Sequence, residues 1–244
     1  MAPSSADSPL LVDAVLQPVR GHMAFESCVE RLGSAIQLGI FESGSKLPPE
    51  RVLAEKLGVS RATLREAISA LRAAGFVTTT RGRGGGTVVE PMENARLPDP
   101  ARNEDRQEEI NDILIFRQII EPGACYRAAS TPMPDLVRRL LIDCLADVES
   151  APTPAEYRQA DARLHLAISS ACGSAELAKS SSTIQTRIHQ FLAEIPFLQR
   201  NIENSDKQHR KIVHSILDGD AETARLVMEE HCDATAALLK GLLK

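Results

Sequence analysis

Asp161 and His165 stand four residues apart, so on a helix one sits above the other on the same face. His209 and His231 are 22 residues apart, with Gly219-Asp220 near midway. Two antiparallel helices joined at that turn bring the two imidazoles to similar heights. Three imidazoles and one carboxylate suit a divalent first-row metal such as zinc, nickel or manganese, and they leave positions open for water or a ligand. A single His is more often structural than ligating, so it is the set of four that carries the reading. His189 and His214 fall outside this register; His214 is five residues from His209 and so points well away from it.

A second group of residues suits a polyanion. The chain has a net charge of −5, yet Ser43–Glu90 holds eight bases against four acids, a window of +4 that leaves −9 for the rest. Such asymmetry fits either a local polyanion contact or a solvated surface. The order within the window favours the contact. Pro48-Pro49 opens a helix that runs to Leu57 and ends at Gly58. Ser60 is a good N-cap for another, Arg61 to Ala74, closed by Gly75. Leu64, Ile68 and Leu71 make its apolar stripe, while Arg61, Arg65 and Arg72, at i, i+4 and i+11, line another face. This is the arithmetic of a helix-turn-helix, whose second helix fits the major groove and reads base edges from its N-terminal residues. The planar arginine fork matches the two acceptors of guanine. A β-rich run, Phe76–Thr80, and Thr87–Val89 then flank Arg81–Gly86. They read as a hairpin wing whose glycine tip lets backbone N–H groups approach phosphate. As a nucleotide loop the tip fails, because it lacks a Gly-Lys-Ser/Thr ending and no helix follows it.

The elements that must position these residues are mainly helical. Of the 244 residues 43% are hydrophobic and 25% charged, with no Trp, two Tyr and six Phe; this is a folded composition that favours helices over sheets. Residues 1–22, with three prolines and several serines, read as a flexible tail. A helical pattern spans Phe25–Ile40, opening a winged helix-turn-helix unit over residues 23–90. Residues 91–104 carry Pro91, Pro98 and Pro100 and read as a linker. From residue 105 to 244 only helices are expected: Asp105–Ser130, Pro134–Ser150, Pro154–Cys172, Ala175–Glu194, Asn201–Leu217 and Asp220–Leu243. Pro122 should kink or break the first, and the stretch Glu194–Asn201 leaves the count at six or seven. No apolar run approaches a membrane span and no signal peptide is evident. Five cysteines without paired CxxC spacing fit a reduced, cytoplasmic protein.

The segments Gly44–Ala54, Leu57–Ala67 and Leu71–Val77 closely resemble the N-terminal winged helix of the GntR family of bacterial transcription regulators. The resemblance implies DNA contacts from Arg51, Ser60, Arg61, Thr63 and Arg65, with Arg83 and Gly84 at the wing. The tip Gly84-Gly85-Gly86 departs from the usual Gly-Arg-Gly-Thr. Farther along, Arg117–Glu121, Asp161–His165, Gln208-His209, Gly219-Asp220 and Met228–His231 resemble the ligand-sensing FCD domain of the FadR subfamily. That resemblance implies a metal held by Asp161, His165, His209 and His231, and a small carboxylate effector bound there. Leu164 replaces a usual Phe, and Ser174 a common Asn. Arg117 is then a candidate carboxylate partner through its fork; a structural salt bridge to Glu121 at i+4 is the other reading.

Three functions compete. In the first, a homodimer reads a palindromic double-stranded operator, because one winged helix touches too few base pairs for useful selectivity. A small organic acid in the helical domain then shifts operator affinity. In the second, the same Asp/His set activates water in a metal-dependent enzyme, although no convincing base or nucleophile accompanies it. In the third, the chain is an adaptor with a vestigial sensor.

Overall fold

The computed structural model describes residues 9–16, 24–80, 85–91 and 104–243. Contacts divide the chain into two compact units with the boundary at Pro100–Ala101. Arg83 and Gly84, and most of the expected linker, lie outside the described residues.

The first unit holds α1 (Pro9–Val15), α2 (Ala24–Gln37), α3 (Glu50–Leu57), α4 (Arg61–Ala73), β1 (Val77–Thr80) and β2 (Gly86–Val89). The segment expected as a loose tail therefore contains a helix. Leu11, Ala14, Val15 and Leu16 are buried, α1 packs on α2, and Asp13 pairs with Lys56. Burial of these apolar residues outweighs the turn-forming prolines around them. Gly58 ends α3 at φ 65°, a left-handed value that favours glycine. Ser60 caps α4 by accepting from the Thr63 N–H at 3.0 Å. Leu64, Ala67, Ile68 and Leu71 turn the inner face of α4 into a core shared with Leu32 and Ile36 of α2 and Leu53 and Leu57 of α3. The strands pair antiparallel from Val77↔Val89 to Thr80↔Gly86. Leu47 N–H donates to Thr87 O at 2.8 Å and ties the hairpin to the segment before α3.

The second unit is a six-helix bundle: α5 (Glu104–Ala129), α6 (Asp135–Ser150), α7 (Pro154–Ala171), α8 (Ala175–Ala193), α9 (Gln199–Asp218) and α10 (Ala221–Leu242). Helix α5 runs through the buried Pro122 without a break, contrary to a break there. Extensive packing of α5 against α10 offsets the lost backbone hydrogen bond. Ile110 and Leu114 of α5, Ile184, Ile188 and Phe191 of α8, and Ala236 and Leu239 of α10 share one apolar cluster. Gly219, at φ 78°, reverses the chain between α9 and α10.

Candidate metal centre and DNA-reading helix

Three helices bring the four expected ligands together. Helix α7 supplies Asp161 and His165 one turn apart, α9 supplies His209, and α10 supplies His231. One ligand atom from each lies within 4.8 Å of every other, and all four residues are buried. His209 Nε2 is 3.2 Å from Asp161 Oδ1, and His165 Nε2 is 4.0 Å from the same oxygen. The His209 and His231 ring centroids are 4.7 Å apart, as the turn at Gly219 requires. His189 and His214 stand outside this cluster.

The surroundings fit a cation. Both ring nitrogens of His209 are buried without a hydrogen-bond partner, an expensive state that a metal ligand bond would relieve. His165 Nδ1 lies 2.9 Å from Glu121 Oε2, and His231 Nδ1 lies 3.2 Å from Gln208 Oε1. A proton on each Nδ1 puts the lone pair on Nε2, the usual outer-layer arrangement of ligating histidines, and on His165 that lone pair faces Arg117 Nη2 at 3.5 Å. Burial pushes the His209 imidazolium down to about 4, Asp161 only partly opposing it. Burial, aided by His209 and His165, also drives His231 well below its ordinary value. Neutral imidazole is the form that binds a metal. A bound divalent ion would supply Lewis acidity and open positions for oxygen ligands; the chain supplies the donors and their orientation.

Beside this cluster lies a buried polar network. Arg117 Nε donates to Glu121 Oε2 at 3.0 Å, and both side chains are 1% exposed. Burial works to raise the Glu121 carboxyl, but Arg117 and His165 outweigh it and hold the group at about 2. Burial likewise opposes the Arg117 charge, yet Glu121 leads a set of negative neighbours that stabilise it further. Gln185 donates to the other Glu121 oxygen, and Cys232 Sγ–H faces Oε2 at 3.6 Å. Arg117 thus makes the structural ion pair and still keeps Nη1 buried without a partner. It lines a cavity with Asp161 and His231. Glu121 was legible only as an i+4 partner of Arg117. Gln208 stood out only beside His209 in the segment that resembles the FCD domain, and Gln185 and Cys232 gave no sequence signal, because tertiary packing alone brings them here.

In the first unit, Arg61 and Arg65 stand exposed near the start of α4, and Thr63 sits beside the Ser60 cap. Arg65 Nε pairs with Glu50 at 2.7 Å, and Arg51 with Glu55 at 3.4 Å. Both pairs are solvent-exposed and hold their arginines weakly, so phosphate or base oxygens can replace the carboxylates.

A winged helix-turn-helix joined in one chain to a helical bundle with a buried, metal-type site defines a ligand-sensing DNA-binding protein. Residues 25–89 match the family of bacterial regulatory proteins, gntR family, and residues 112–234 match the FCD domain. The chain is 32% identical over 222 residues to RmpR of Mycobacterium gastri, named among HTH-type transcriptional regulators, covering 84% of this chain and 76% of that one. It is 24% identical over 229 residues to the Exu regulon transcriptional regulator of Escherichia coli K12, covering 88% and 84%. The fold matches Escherichia coli McbR/YncC with a TM-score of 0.53 at 18% identity, over 91% of this chain and 99% of that one. The protein belongs to the GntR family and carries a C-terminal FCD domain. Its relatives are transcription regulators, and the enzyme reading falls with that finding.

Proposed function

We propose that this protein is a metal-dependent sensor of a small organic acid that controls its own hold on a palindromic operator. The observation that carries the reading is the buried convergence of Asp161, His165, His209 and His231 beside the unpartnered Nη1 of Arg117. One divalent ion, zinc, nickel or manganese, sits on the four side chains. With four protein ligands, an octahedral ion keeps two positions for a carboxylate, and Arg117 Nη1 meets the same group as a charge-assisted donor. The relatives lend support to control of an operator, since one is named as the Exu regulon transcriptional regulator.

On the DNA side, Arg61 and Arg65 read base edges, Ser60 and Thr63 meet the backbone at the start of α4, and Arg51 contacts phosphate. Arg83 and Gly84 act at the wing. The protein works as a homodimer. In support, Ile115, Phe116 and Ile119 on α5, and Leu136 and Ile142 on α6, are large apolar side chains left exposed. Five buried free cysteines accord with the cytoplasm. No helix among the described residues is long and apolar enough to cross a membrane.

Gel-shift titration of the zinc-loaded full chain, with and without a panel of small carboxylates, tests the reading. At least one acid should change operator affinity, and a chelator should abolish that response. Operator binding indifferent to every acid and to the chelator would overturn it.

A further inference from the structure

The cavity beside the metal cluster carries a second cation. Arg158 lines it together with Arg117, Asp161 and His231. Its guanidinium lies 5.7 Å from the Phe197 ring centroid and donates only a long bond, 3.4 Å, to Ile195 O. Among the described residues no carboxylate lies within ion-pair distance of it. Burial lowers its affinity for the proton, and no acid compensates, so an anion arriving there gains a partner already partly stripped of water.

Helix geometry fixes where this cation stands. Arg158 precedes Asp161 by three residues on α7, about 4.5 Å along the axis. Arg158, Asp161 and His165 follow i, i+3, i+7 spacing and share one face. Helix α9 runs alongside in the same sense: Tyr157 O–H donates to Asp206 at 2.8 Å, and Asp161 meets His209 at 3.2 Å. Ser205 and Asn201 lie one and two turns before His209 and line the same cavity. The polar lining therefore continues from the metal cluster toward Arg158, Ser205 and Asn201.

We infer that the effector carries two anionic groups: one carboxylate at the metal and Arg117, and a second at Arg158 about one helical turn away, which fits a short dicarboxylate. This rests on the carboxylate-sensor reading above. The remaining wall, with Leu192, Ile195 and Phe197, covers the carbon chain between the two ends.

The test is calorimetric titration of the zinc-loaded full chain with succinate and with butyrate, which share a four-carbon skeleton and differ in the second carboxylate. Succinate should bind about tenfold more tightly, the scale of one charge-assisted contact. Arg158→Gln should erase that advantage while leaving butyrate within about twofold of wild type, and Arg158→Lys should restore part of it. Equal binding of the two acids by wild type, or tighter butyrate, overturns the inference and leaves the sensor reading standing. So does an Arg158→Gln chain that loses both acids equally, because Arg158 would then only brace Ile195 and Phe197. If neither acid binds the zinc-loaded protein, the dicarboxylate inference falls, and the sensor reading stands or falls on the wider panel of acids.

Discussion

Glu121 Oε2 lies 2.9 Å from His165 Nδ1 and accepts from Arg117 Nε at 3.0 Å. One buried carboxylate oxygen thus orients a metal-type histidine and neutralises the arginine beside it. Outer-layer partners of this kind are worth about 10–100-fold in metal affinity. Glu121→Gln should weaken zinc binding by about that factor in a competition titration against a chelating dye. The amide also leaves Arg117 buried without its counter-charge, so urea unfolding of the metal-free chain should show a loss of about 3–5 kcal/mol. A folded variant with wild-type zinc affinity would show that Glu121 serves only Arg117.

His209 offers the cleanest separation of ligand from packing residue. It is fully buried and neither nitrogen has a hydrogen-bond partner. His209→Ala should remove the metal and the effector response while leaving operator binding without effector largely intact, because the winged helix forms its own compact unit. Elemental analysis and gel shifts on the same preparations check this. Full metal content with a lowered Tm would mark His209 as a packing residue.

The depressed histidines set a pH profile. Burial holds His209 at about 4 and His231 well below its usual value, whereas both titrate near 6.5 in the unfolded chain. Above about pH 6.5 neither state is protonated and folding carries no penalty. As pH falls from about 6.5 towards about 4, the unfolded chain binds protons that the folded chain refuses. Stability of the metal-free protein should therefore decline, by up to about 1.4 kcal/mol per pH unit for each group. Urea unfolding at about pH 7.5 and about pH 5 measures it, and His209→Ala should flatten the slope. Equal stability at the two pH values in wild type would show that these imidazoles are not held neutral.

What the sequence revealed follows from where the determining contacts lie. The helices of the bundle and the α3–α4 turn were legible because apolar spacing, a proline opening and left-handed glycines such as Gly58 are local signals. The metal quartet was legible because two ligands share one helix face and two straddle a single turn. Glu121 joins His165 only through the packing of α5 against α7, and no spacing rule contains that. The same cause hid α1, whose stability comes from burying Leu11 and Val15 rather than from its sequence. It also hid the continuity of α5 through Pro122, which depends on α10.

Arg61 and Arg65 should differ from Arg51 in what they lose. If the first two read guanine, Arg61→Ala and Arg65→Ala each cost about 1–3 kcal/mol on the matched operator and relax base preference. Arg51→Ala should weaken matched and scrambled sequences alike and reduce the salt dependence. The exposed Arg65–Glu50 pair is worth little, so folding should hardly change. Gel shifts on both sequences at two salt concentrations distinguish base reading from phosphate contact. Unchanged binding in both α4 variants would remove this helix from the groove.

The apolar face of α5 bears on assembly. Ile115 and Ile119 are 55% and 68% exposed and lie one turn apart, with Phe116 beside them. A cluster of this size in water is a partner surface more often than a chance exposure, and a palindrome-reading protein needs a two-fold partner. A carboxylate placed at such a contact would be desolvated without a counter-charge, so Ile119→Glu should shift the protein from dimer to monomer at micromolar concentration in light scattering. Each monomer would then hold only one half-site, and operator affinity should fall by at least about tenfold. Zinc content should stay at the wild-type level, because Ile119 points to solvent and Arg117, also on α5, points to the bundle interior. A wild type that is monomeric with and without DNA would contradict the dimer outright, and a dimeric Ile119→Glu chain would move the interface off this face of α5.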